Sequence, residues 1–112
     1  MFTLQKEPRW TWPVKVKVPD DKGGLTEQQF RATFRLIEAW EERGRTYDGT
    51  TTLLTEAVVE LHDLVDEAGK ALPHSPELLV ALLRNPWIRS GLINSYVAAM
   101  NGMPISEAAR GN

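Results

Sequence analysis

The chain contains no cysteine among its 112 residues. That absence excludes a disulfide framework, a thiol nucleophile and every cysteine-based zinc or iron–sulfur site. Only two histidines occur, His62 and His74, and neither stands in a ligand-like pattern. No apolar run reaches the roughly 18 residues that a membrane span needs. The opening Met-Phe-Thr-Leu-Gln-Lys-Glu-Pro lacks the apolar core of a secretory signal. There is no P-loop and no dinucleotide fingerprint. The expectation is a cytoplasmic protein with no metal, no cofactor and no membrane partner. Its 12.6 kDa suit one small domain with a modest core.

Charge is spread unevenly under a net of −2. Residues 1–36 carry +3, residues 37–85 carry −6 and residues 86–112 carry +1. Such polarity can orient self-association or docking, so a homo-oligomer stays open. It is a poor signature for a duplex binder, which needs several cations on one face.

Trp10, Trp12, Val14, Val16 and Val18 share one parity, while Arg9, Thr11, Pro13, Lys15 and Lys17 share the other. That is the period of a strand with one buried and one wet face. Pro13 removes a ladder donor, so the strand lies at an edge or begins pairing after Pro13. Asp20-Asp21-Lys22-Gly23-Gly24 is turn chemistry. The return segment fits two periods. With period 2, Phe30, Ala32, Phe34 and Leu36 face inward. With period 3.6, Thr26 caps a helix in which Phe30, Phe34 and Ile37 share a face.

Residues 37–45 read as a short acidic helix ending near Gly44, and Arg45–Thr50 as a linker. Helical spacing of Leu53, Leu54, Ala57, Val58 and Leu61 predicts a helix over 52–62. The β-branched pair Val58 and Val59 admits a switch to strand there. Asp66–Gly69 reads as a turn. Ser75-Pro76 and Asn85-Pro86 are each an N-cap followed by proline at the first helical position. Leu78, Leu79, Leu82 and Leu83 line the first of the two helices. Ile88, Leu92, Ile93, Tyr96, Val97 and Met100 line the second, which Gly102 stops.

The carboxylates Glu56, Glu60, Asp63 and Glu67 invite an acid–base reading, and His62 with Asp66 a shared helix face. Both patterns are routine on solvated helices. His74 and Ser75 lack the third group and oxyanion hole of a triad. The helix pair around Asn85-Pro86 suggests a helix-turn-helix. Its second helix offers one cation, Arg89, too few for a strong reader of nucleic acid. An enzyme is disfavoured. Trp87, in the first turn of its helix, either completes the core or anchors a partner, and core burial is the commoner case.

The segment Trp12-Pro-Val-Lys-Val-Lys-Val-Pro19 and the later Glu27 to Leu36 resemble the first two strands of a known family. Ala57 to Gly69, followed by Ala71 to Leu78, resembles its central block, which often carries tryptophan at His62 and an aromatic at His74. Asn85-Pro-Trp-Ile-Arg89, Ser95 to Gly102 and the ending Ala108 to Asn112 resemble its last helix and short basic tail. The family is the small tail assembly chaperones of long-tailed bacteriophages and prophages, encoded between the major tail protein and the tape measure protein.

The resemblance implies an α+β fold, with an N-terminal antiparallel β-hairpin packed against a small helical domain. The hairpin would span about 12–36 and the helical region about 37–102, in one domain of residues 1–102; Pro104, Gly111 and the few apolar anchors make 103–112 a flexible tail by composition. It implies a non-catalytic chaperone that binds and solubilises the tape measure protein, assists tail tube assembly and is absent from the mature virion. The major tail protein and a frameshifted long form are further implied partners. Candidate partner-binding residues are Trp10, Trp12, Leu78, Leu82, Leu83 and Trp87. The principal alternative is a tail or head–tail structural subunit retained in the virion.

Overall fold

A computed structural model describes residues 1–103. The tail expected over 103–112 therefore lies almost wholly outside the described residues. Two long strands open the fold, β1 (Arg9–Pro19) and β2 (Leu25–Arg35), paired antiparallel in one unbroken register from Arg9↔Arg35 to Pro19↔Leu25. Parity decides the faces: Val14, Val16, Phe30, Ala32 and Phe34 are buried together. The turn is built by Asp20, whose Oδ1 accepts from Lys22 N–H at 2.8 Å and Gly24 N–H at 2.9 Å. Gly23 supplies the left-handed residue at φ +82°. The period-2 reading of 25–36 thus holds over the helical one, with one correction. Leu36, expected inward, lies just beyond β2 and is 48% exposed.

The middle of the chain departs from expectation. The acidic helix is a single turn, α1 (Trp40–Arg43), closed at Gly44. The supposed linker instead starts α2 (Tyr47–Ala57), because Thr46 caps it by accepting from Gly49 N–H at 2.9 Å. α2 stops at Ala57, short of the 62 expected, and the chain continues as β3 (Val58–His62). β3 pairs antiparallel with Arg31–Phe34 and bulges between Thr33 and Phe34, so the hairpin becomes a sheet of order β1-β2-β3. The β-branched pair completes its extended backbone through β2, a partner distant in sequence. Asp66–Gly69 forms the expected turn, tied by Val65↔Ala71 pairing and Gly69 at φ +81°.

Both serial caps form. Ser75 Oγ accepts from Leu78 N–H at 3.0 Å and opens α3 (Pro76–Leu83). Asn85 Oδ1 accepts from Trp87 N–H at 2.9 Å and Ile88 N–H at 3.2 Å, opening α4 (Pro86–Met100). Gly102 follows α4 at φ +67°.

α4 lies along β1 in the reverse direction. Gly91 approaches the Lys15 carbonyl, Ser95 Oγ donates to the Pro13 carbonyl at 2.8 Å, and Tyr96 stacks on Trp10 at 5.8 Å. Pro13 has no N–H, and its one remaining backbone group is thereby satisfied. The result is a mixed α+β fold in which an antiparallel sheet packs with several helices over one core.

Candidate functional site

β2 has 11 residues and β3 has 5, so β2 outruns its second neighbour. The ladder between them ends at Arg31↔His62. The next residue, Asp63, takes the left-handed backbone at φ +65° and turns the chain away. Arg31 holds it there, with Nε donating to Oδ2 at 2.6 Å and Nη2 to Oδ1 at 3.3 Å. Residues 25–30 of β2 consequently pair with β1 alone.

Beside this overhang lies a groove of about 350 Å³. Val16, Val18 and Phe30 line it from the hairpin, Leu64 and Val65 from the segment after Asp63, and Trp87 and Ile88 from α4. The Asn85 cap fixes where α4 begins and so where Trp87 stands. One turn separates Trp87 from Gly91, where α4 meets β1, and the indole overhangs the hairpin tip at 43% exposure. The expected core role for Trp87 is therefore corrected. Val65 is 59% exposed. An uncovered apolar channel next to unpaired strand backbone accommodates an apolar side chain together with an extended chain.

Of the six residues expected at the partner surface, only Trp87 lines this groove. Leu83 is 2% exposed and belongs to the core. Leu78 and Leu82 are half-buried and pack against that core. Trp10 and Trp12 are also half-buried, with indole N–H groups that are buried without a hydrogen-bond partner. Sequence reading missed Val18, Leu64, Val65 and Ile88 as a group. The elements that bring them together meet only because β3 exists and stops early.

The histidines have structural partners. His62 is on β3, not on a helix face with Asp66, and its Nε2 meets Thr33 Oγ1 at 2.8 Å. Thr33 in turn meets Thr11 Oγ1 at 2.8 Å, making a polar row across the three strands. Glu60 approaches the same Nε2 at 4.0 Å, so it does not orient the opposite ring nitrogen as a triad acid does. His74 Nδ1 accepts from Leu61 N–H at 3.2 Å and so occupies a backbone donor of β3. Among the described residues, no three His, Asp or Glu side chains gather as a metal cluster, and no helix is long and apolar enough to cross a membrane.

The ion pairs shape the groove's surroundings. The hydrogen bond from Arg31 holds the Asp63 carboxyl below its usual range, aided by the charges of Arg31 and His62 and opposed by desolvation. A depressed carboxylate contributes stability above its unfolded value near 4, and loses it as pH falls through the folded value. Asp63→Asn should therefore lower the urea midpoint at pH 6 by a small amount, as befits an exposed pair. The deficit should shrink toward pH 3. An undiminished deficit at pH 3 would assign the effect to backbone geometry instead of charge.

No model of a known protein family, no curated protein and no solved structure matches this chain.

Proposed function

We propose that the protein is a non-catalytic assembly chaperone that binds the tape measure protein of a long-tailed phage or prophage and keeps it soluble. The family resemblance supplies the partner, and the groove beside the β2 overhang supplies the observation that carries the reading. A tape measure exposes long apolar stripes, which aggregate unless covered. The groove offers apolar walls from the hairpin and α4, with Trp87 as an aromatic anchor of the kind that dominates interface energies. Many copies along one long partner hold it collectively while each contact stays weak and reversible. Because the walls are apolar, binding should survive moderate salt, unlike a phosphate-dependent complex.

Co-expression with a tape measure protein tests this. The wild type should associate with it and raise its soluble yield. Trp87→Ala should retain its circular dichroism spectrum and cooperative unfolding, yet lose about tenfold or more in affinity, as expected for an exposed anchor. A folded wild type that neither binds nor solubilises the tape measure would overturn the reading. Stoichiometric recovery in purified virions would favour the structural subunit.

A further inference from the structure

The segment ahead of β1 is a second uncovered apolar element. Phe2 is 87% and Leu4 is 86% exposed, and Met1 is fully exposed. Phe2 and Leu4 alternate with Thr3 and Gln5, the pattern of an extended chain that presents one apolar face. The Pro8 carbonyl accepts from Leu36 N–H at 3.4 Å, which fixes where this arm leaves the sheet. That point is at the far end of the hairpin from the groove, since Arg9 pairs with Arg35 and Pro19 with Leu25.

Strand geometry shows that the arm cannot reach the Trp87 end of its own groove. The strand distance from Leu36 to Gln28 is roughly 26 Å at the usual rise. From Pro8 to Phe2 a fully extended chain covers at most about 21 Å. Phe2 can approach the near wall at Phe30 but falls short of Trp87, which stands one helical turn beyond the level where Gly91 meets Lys15, itself about 23 Å along β1 from Pro8. Each chain thus carries an apolar, strand-patterned arm and a strand-accepting groove whose Trp87 end its own arm cannot fill.

We infer that the N-terminal arm of one copy docks into the β2-edge groove of a second copy, adding a strand to residues 25–30 and placing Phe2 and Leu4 against Trp87, Ile88 and Val65. The occupant is a second copy of this chain. Its backbone meets the unpaired edge of β2, and its apolar residues meet the groove walls. The inference holds whatever other partner the groove serves. A partner taking the same groove displaces the arm, so self-association and partner binding compete.

The absence of native cysteine makes a direct test clean. A mixture of full-length Phe2→Cys and Val65→Cys proteins should form the mixed disulfide dimer under mild oxidation. Phe2→Cys mixed with Val80→Cys should not, because exposed Val80 lines other surfaces. In sedimentation, the wild type should associate with rising concentration. Phe2→Ser/Leu4→Ser should weaken that association more than tenfold, the scale expected when two large apolar side chains lose a buried site. The same double variant should still bind the tape measure protein, which separates this inference from the partner assignment. A wild type that stays monomeric, a double variant that associates like the wild type, or equal cross-linking at positions 65 and 80 would each overturn the arm exchange.

Discussion

Tyr96→Ala should cost this protein a large share of its stability. Tyr96 is fully buried and sits at the centre of an aromatic group, stacked on Trp10 at 5.8 Å and edge-on to Phe34 at 5.5 Å and Trp40 at 6.1 Å. Its hydroxyl donates to the Arg35 carbonyl at 3.0 Å and accepts from Ile37 N–H at 3.0 Å. Those two groups flank Leu36, where the chain leaves β2 for the helices, so one side chain satisfies the backbone at that joint. Truncating a buried aromatic costs about 3–5 kcal/mol. Against a total of about 5–15 kcal/mol for a small domain, that is a large share. Tyr96→Phe keeps the ring and strands only the two backbone groups, at about 1–3 kcal/mol. Urea unfolding of both variants checks the ranking, and equal losses would place the whole effect in the hydroxyl. Burial pushes the Tyr96 hydroxyl above the ordinary tyrosine range, opposed by the Ile37 N–H, so it remains a donor at neutral pH.

Gly91→Ala should also destabilise, and here the sign is the informative result. Alanine is the better helix former by about 1 kcal/mol, so an open site in mid-helix would gain from the exchange. Gly91 is not open. A Cβ there would stand 2.8 Å from the Lys15 carbonyl oxygen, 3.1 Å from Val16 Cγ2 and 3.4 Å from Val14 Cγ1. The nearest of these is backbone of a paired strand, which cannot swing aside as a side-chain tip does. Overpacking of this kind costs about 1–3 kcal/mol, which outweighs the propensity gain. Gly91→Val should be worse still. Ser90→Ala, at the exposed neighbouring position, should be neutral or slightly stabilising and serves as the control. Stabilisation by Gly91→Ala would mean that α4 stands farther from β1.

These two residues also show where sequence reading stops. The alternation from Trp10 to Val18 and from Phe30 to Phe34 made the hairpin legible, and proline after Ser75 and Asn85 made the starts of α3 and α4 legible. Each signal is local. Gly91 carries no local signal, because only its approach to β1 gives it a role. Gly49, within a threonine-rich stretch, suggested a linker. Yet it lies in the first turn of α2, where any side chain would run into the Arg43 carbonyl. β3 was half-legible, since the β-branched Val58 and Val59 admitted a strand while Leu54, Val58 and Leu61 also satisfy a helical spacing, and only pairing with β2 decides between them. The candidate site was less legible than the fold. Trp87 was singled out, but its exposure depends on how far α4 projects past β1. The other walls depend on Asp63 turning the chain after β3.

The Ser95–Pro13 hydrogen bond has a consequence for how this sheet can grow. α4 lies along β1 with Ser95 on the Pro13 carbonyl, and the His74 ring takes the Leu61 donor of β3, so each outer strand has an edge group already occupied. The overhang of β2 leaves a berth six residues long, at 25–30. Growth is therefore directional. One incoming strand fills the berth, whereas a sheet bare on both sides can stack without limit. On the arm exchange inferred above, strand-mediated assembly at the berth would have a fixed ratio of one added strand per copy.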